Sequence, residues 1–369
     1  MANQRRVLVV IGTRPEAVKL APVVHALRAE PWADVRVLAT AQHRHLLDAI
    51  LSFFGIVPDR DLDIMQPDQT LADLTARLLA GLDPVLVDEQ PDFVLAQGDT
   101  TTVFATALAC FYRKFRFGHV EAGLRTGDKL QPFPEEANRE LVGRITDLHF
   151  AVTETSRDNL LRENIPTADV HVVGNTVVDA LLWAAERVDP AKFLPAEGQK
   201  LVLVTAHRRE HFGARFEEMC HALRDVADRP DVKLLYPVHP NPNVRDVANR
   251  VLGDHPSIDL VDPLDYPDMV AAMRACTIIL TDSGGVQEEA PSLGKPVLVL
   301  RSTTERPEGI TAGAARLVGT DRQMIVTEAA RLLDDPQAHA EMARVRNPYG
   351  DGTTSKQIAD VLRSRLVEA

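Results

Sequence analysis

The stretch RRVLVVIGTRPEAVKLAPVV, residues 5–24, decides the fold class. Arg5–Ile11 is a short aliphatic run, read as a strand buried on both faces. Gly12 ends it. Thr13 and Glu16 then stand at capping-box spacing, and Pro15 falls in the first turn, where its missing N–H costs nothing. A helix therefore begins at about Arg14, which places that guanidinium at the mouth of a sheet, with Lys19 little more than a turn further on. The N-terminal run is too short for a signal peptide and is better explained as this buried strand.

The same alternation repeats outward from this stretch. Apolar runs recur at Val35–Thr40, Phe93–Ala96, Phe117–Val120 and His149–Val152. After a break they resume at Leu201–Thr205, Lys233–Pro237, Ile258–Val261, Thr277–Thr281 and Pro296–Leu300. Helical patterns separate them, so each series predicts a parallel sheet covered on both faces, and two series predict two doubly wound, Rossmann-like domains. The boundary is expected after Val173, giving domains 1–174 and 175–350. The final helix, Thr354–Leu366, follows the turn-rich NPYGDG and has an apolar stripe suited to packing back on the first domain.

Composition narrows the function. The chain has 369 residues and a formal net charge of −12, which argues against nucleic acid as a partner. A local arginine cluster can still hold a phosphorylated small molecule. No stretch approaches the ~20 apolar residues a membrane span needs. The three cysteines, Cys110, Cys220 and Cys276, lie in apolar runs without CxxC spacing, as expected of reduced core residues in a cytoplasmic protein.

In open parallel sheets ligands bind beyond the carboxyl ends of the strands, so the residues that follow each strand carry the chemistry. Arg14 and Lys19 follow the first and suit an anion, although both would also suit a solvated helix face. Gln97-Gly98-Asp99-Thr100-Thr101-Thr102 follows Phe93–Ala96, and there Asp99 is either a site carboxylate or a plain helix cap. Glu121 follows Phe117–Val120, and PFPEEANRE at 132–140 adds Glu135 and Glu136 at a proline-led helix start. Three acidic positions on one sheet edge exceed what helix dipoles ask for, and shared like charge is a way to obtain a general acid.

In the second series, His207-Arg208-Arg209-Glu210-His211 has the H-x-x-E-H spacing of a zinc site, but two arginines between the ligands repel a dication. His207 with Arg208 reads instead as a phosphate donor set. Ser283-Gly284-Gly285 before a helix is either a phosphate cradle or a tight turn. The segment from Arg301 to Glu308 supplies Arg306 and acidic residues able to grip sugar and phosphate. GxGxxG and GxxxxGK[ST] are both absent, so dinucleotide and P-loop chemistry are not expected.

With these segments in place the chain resembles the bacterial, non-hydrolysing UDP-N-acetylglucosamine 2-epimerases. The resemblance runs through GTRPEAVKLAPVV (12–24), QGDTTT (97–102), HVEAGLRTGD (119–128), PFPEEANRE (132–140) and GNTVVDAL (174–181). It continues through HRREHFG (207–213), HPNPNVR (239–245), TDSGGVQEEAPSLGKPVLVLR (281–301) and TTERPEG (303–309). It implies a glycosyltransferase B-type fold with two domains facing a cleft, the C-terminal helix 354–367 on the first domain, a UDP-binding second domain and a homodimer. It implies Asp99, Glu121, Glu135 and His207 as catalytic residues. Arg14, Lys19, Ser283, Gly284, Gly285, Glu289 and Arg306 join them as substrate-binding positions. Leu264 and Met269 stand where the family pattern has a glutamine and a phenylalanine. Gln42 and His43 fit a second, regulatory site for the same nucleotide sugar, but Asp68 stands where some members carry arginine, and an acid facing a diphosphate is unfavourable.

The implied reaction is reversible inversion at C2 of UDP-N-acetylglucosamine. No carbonyl acidifies that proton, so UDP must begin to leave C1, giving 2-acetamidoglucal, before re-addition yields the manno epimer. Such a site needs cationic stabilisation of UDP and two proton-handling groups, with no metal, flavin or nicotinamide. A retaining glycosyltransferase of the same fold and a catalytically silent UDP-sugar sensor are the competing readings.

Overall fold

The computed structural model describes residues 4–40, 44–66 and 68–368. Gln42 and His43, the regulatory-site candidates, lie outside the described residues. By packing, the chain divides into two compact units: residues 1–180 with 350–369, and residues 181–349. The division falls between Ala180 and Leu181, inside the helix Thr176–Ala185, rather than at the glycine-containing turn ahead of it.

The first unit holds a seven-stranded sheet of β1 (Arg5–Ile11), β2 (Ala33–Ala39), β3 (Arg60–Asp61), β4 (Phe93–Gln97), β5 (Phe117–Ala122), β6 (Leu148–Ala151) and β7 (Val170–Val172). Its order is β3-β2-β1-β4-β5-β6-β7, and every pairing is parallel. The second unit holds a six-stranded sheet of β8 (Lys200–Thr205), β9 (Val232–Pro237), β10 (Ile258–Val261), β11 (Ile278–Thr281), β12 (Val297–Val299) and β13 (Ala315–Leu317). Its order is β10-β9-β8-β11-β12-β13, again all parallel. Both sheets are therefore Rossmann-like, as their apolar runs predict.

Val7–Ile11 and Leu201–Val204 are buried almost completely, which explains why these strands read as continuous aliphatic runs. In each sheet the winding reverses at the centre, between β1 and β4 and between β8 and β11. Loops leave such a switch point in opposite directions and open a crevice beyond the strand ends. The candidate residues Arg14 and Asp99 follow β1 and β4, and His207 and Ser283 follow β8 and β11. The C-terminal helix Thr354–Leu366 packs on the helix Arg14–Arg28 within the first unit. Among the described residues, no helix is long and apolar enough to cross a membrane.

Candidate active site

At the first switch point the backbone turns sharply from β1 into its helix. A Cβ on Gly12 would lie 2.4 Å from Thr102 Oγ1. The capping box forms as its spacing predicts. Glu16 does more than cap. It is nearly fully buried, accepts from the Gly12 and Thr13 amides at 2.6 and 3.2 Å, and takes the Thr100 hydroxyl at 2.7 Å. Burial outweighs these hydrogen bonds and pushes its carboxyl up to about 7. Arg14 is exposed and makes no hydrogen bond or ion pair with the described residues.

Asp99 does not cap the following helix; Thr100 does. The Asp99 carboxylate is gripped by Arg139 at 2.7 and 2.9 Å, and its carbonyl accepts from Asn138 at 2.8 Å. One residue earlier, the Gly98 carbonyl meets His119 Nε2 at 2.6 Å. Burial holds His119 down at about 4, so the ring is neutral and donates. Glu135 opens the helix Glu135–Ile145, which also supplies Asn138 and Arg139. Its carboxylate is half-buried and has no partner among the described residues. Its neighbour Glu136 is fully buried; the Gly127 and Thr126 amides and Arg139 overcome the burial cost and keep it ionised.

Glu121 sits at a register shift in β5, with φ at +64°. Non-glycine residues are rarely held there, and the strain costs about 1–3 kcal/mol. The bulge re-aims a carboxylate that would otherwise follow the pleat. Lys19 meets it at 2.5 Å, Gln97 donates to the same oxygen, and Asn175 approaches the other at 3.4 Å. Lys19 is thus a partner of an acid in this structure.

At the second switch point, Asp282 ties two loops together. One of its oxygens accepts the His207 and Arg208 amides at 2.8 and 2.7 Å. The His207 ring stacks on His239, with centroids 5.3 Å apart and planes 12° from parallel. Burial holds His207 below its ordinary value; Asp282 opposes that, while His239 and Arg208 add to it. Ser283 precedes a short helix, Gly284–Glu289, without capping it through its side chain. A Cβ on Gly284 would come within 3.9 Å of both the Arg208 and Arg306 guanidiniums, so these cations flank the glycine pair. Buried Glu288 binds Arg306 Nε, and Tyr349 donates to the Arg306 carbonyl at 3.0 Å while accepting from Gly309 at 2.9 Å. Glu289 is buried beside the Tyr266 hydroxyl. Glu210 of the H-x-x-E-H run is paired with Arg301 at 2.8 Å, and the run lies in a loop with one short turn.

The structure therefore brings together Lys19 and Glu121, sets Asp99 on the neighbouring strand end, and gathers His207, Ser283, Gly284, Gly285 and Arg306 around a second crevice. Leu264 and Met269 are partly exposed near the start of the helix Tyr266–Ala275. The reading from sequence did not single out Glu16 beyond its cap, nor Gln97, Arg139, Asn175, Asp282, Glu288 or Tyr349. Their roles rest on partners far away in the chain.

Comparison with known proteins extends the resemblance over nearly the whole length of the chain. Residues 25–363 match the family model described as UDP-N-acetylglucosamine 2-epimerase. The chain is 53% identical to the UDP-N-acetylglucosamine 2-epimerase of Escherichia coli K12, covering 98% of this chain and 99% of that one. It is 50% identical to the Bacillus subtilis enzyme of the same name, over 97% and 94% of the two chains. The crystal structure of the Neisseria meningitidis UDP-GlcNAc 2-epimerase bound to UDP-GlcNAc superposes with a TM-score of 0.88 at 45% identity, covering 97% of this chain and 99% of that one. Two switch-point crevices of this composition, on a chain alike from end to end, leave one assignment: the protein belongs to the UDP-N-acetylglucosamine 2-epimerase family.

Proposed function

We propose that this enzyme interconverts UDP-N-acetylglucosamine and UDP-N-acetylmannosamine by eliminating UDP and adding it back. The C1–O bond to UDP breaks as a base takes the C2 proton, which leaves 2-acetamidoglucal. UDP then re-forms the C1 bond while an acid delivers a proton to the opposite face of C2. The observation that carries this reading is the division of labour between the two crevices. One holds carboxylates that other residues fix in place, and the other holds donors suited to a diphosphate.

His207, Arg306 and the amides at Ser283-Gly284-Gly285 stabilise the charge that grows on departing UDP, and Arg14 adds to it. Proton handling falls to Asp99, Glu121 and Glu135, two of which serve the two faces. Lys19 and Gln97 orient Glu121, as Arg139 orients Asp99. We also read the enzyme as a cytoplasmic homodimer. Its three buried free cysteines suit a reducing compartment, and Phe111 and Tyr112 leave apolar surface exposed at one helix end.

The test is incubation with UDP-N-acetylglucosamine in heavy water, read at C2 by NMR. Deuterium at C2 with UDP still attached is the expected result. Free N-acetylmannosamine instead indicates hydrolysis, and retained protium without turnover leaves a sensor. Glycosyl transfer would appear only once an acceptor is added.

A further inference from the structure

One atom at the second switch point is in an unfavourable position. Asp282 is fully buried, and its Oδ2 is satisfied by the two loop amides. Its amide donates to the Thr205 carbonyl at 3.0 Å, and its own carbonyl accepts from Arg208 Nε at 3.2 Å. Its Oδ1 has no hydrogen-bond partner. A buried carboxylate oxygen left without a donor is costly, so such an atom calls for an explanation. The ring nitrogen of the crevice nearest to it is His207 Nδ1 at 3.8 Å, just beyond hydrogen-bond reach, while the buried His211 ring also feels the Asp282 charge without a hydrogen bond to it. The near-parallel His239 ring limits tilting of His207.

We infer that Asp282 is the positioning residue for His207, accepting its Nδ1–H, so that an anion bound at Nε2 draws a proton onto the ring. The argument rests on the reading of this crevice as the diphosphate site. Phosphate oxygens of UDP accept hydrogen bonds and have none to give near neutral pH. With Nδ1–H committed to Asp282, a neutral ring has only a lone pair at Nε2, which repels such a ligand. An imidazolium donates on both sides. The proton comes from solvent, and the ring carries it between two anions. The charged or titratable groups facing His207 are Asp282 from the loop after β11, His239 from the loop after β9, and Arg208 beside it. The last two disfavour the cation until the diphosphate arrives.

The experiment is calorimetry of UDP binding to the full-length enzyme at pH 7.5, in two buffers of different ionisation enthalpy. At that pH the terminal phosphate of UDP, with a second pKa of about 6, is already ionised and contributes little. Proton uptake approaching one per site is expected, with Kd rising toward tenfold per pH unit above neutrality. Asp282→Asn keeps an oxygen for the two loop amides but presents an NH2 to Nδ1. The ring then takes the Nε2–H tautomer and donates while neutral, so UDP still binds, uptake falls to near zero and Kd becomes flat with pH. His207→Asn binds UDP more weakly and takes up no proton.

Undiminished uptake in Asp282→Asn overturns the inference, as does uptake that survives His207→Asn. UDP binding at wild-type strength in His207→Asn removes the diphosphate reading itself, and the inference with it. If Asp282→Asn does not fold, 15N-histidine NMR of the wild-type complex decides: both His207 nitrogens protonated supports the pairing, and a lone pair at either ends it.

Discussion

Glu16 shows how a single residue can lower stability in order to hold a site together. Its carboxylate is buried, has no counter-cation among the described residues, and bridges the Gly12-Thr13 turn ahead of Arg14 to Thr100, the neighbour of Asp99. The usual carboxyl value of 4.5 applies to the unfolded chain, and burial raises it to about 7 in the fold. Below pH 4.5 both states are protonated and the group has no effect. Between these values the folded state keeps a proton the unfolded chain has released, so stability falls as pH rises. Above pH 7 the whole cost is present, about 3 kcal/mol if the full shift is taken. Gln keeps the shape and cannot ionise. Glu16→Gln should therefore gain about 1–3 kcal/mol at pH 8 and almost nothing at pH 4, measured as urea midpoints. An equal change at both pH values would show that ionisation of Glu16 does not limit stability.

At the scale of elements, the ten apolar runs all became strands because complete burial writes a strand into sequence as an unbroken aliphatic segment. The strands that escaped notice are β3, β7 and β13, with sequences RD, VHV and ARL. Each is short and partly exposed, and all three close a sheet edge, so partner geometry rather than side-chain hydropathy defines them. The capping box at Thr13 was legible because its partners are three residues apart. The bulge at Glu121 was not, since no local residue announces a positive φ, and Asp99's grip by Arg139 spans 40 positions. What joins the elements at the first switch point is equally silent in sequence. Gly12 lets the end of β1 lie against buried Thr102, where an added Cβ would stand 2.8 Å from the threonine Cβ. Gly12→Ala must push the β1 turn away from the helix Thr101–Arg113. The expected cost is about 1–3 kcal/mol, with C2 exchange reduced far more than UDP binding. A variant with normal exchange would separate this contact from catalysis.

At the scale of the whole molecule, the two ends of the chain belong to the same unit. The last helix, Thr354–Leu366, buries Ile358, Ala359 and Leu362 and packs on the helix that carries Arg14 and Lys19. The Ser355 amide donates to Asp179 at 2.7 Å, and the carbonyls of Arg365 and Leu366 accept from Arg116 and Arg5. The first unit is thus complete only after the second has been synthesised, and its stability depends on residues that follow the second unit in the chain. Leu362→Ala empties a fully buried leucine at this seam and should cost about 2–5 kcal/mol. Because that loss is confined to one unit, urea unfolding should separate into an early transition for the first unit and an unmoved one for the second. Hydrogen exchange assigns the transitions: amides of β1 and β4 open early, and those of β8 and β11 keep wild-type protection. A single transition shifted as a whole would mean instead that the two units unfold as one.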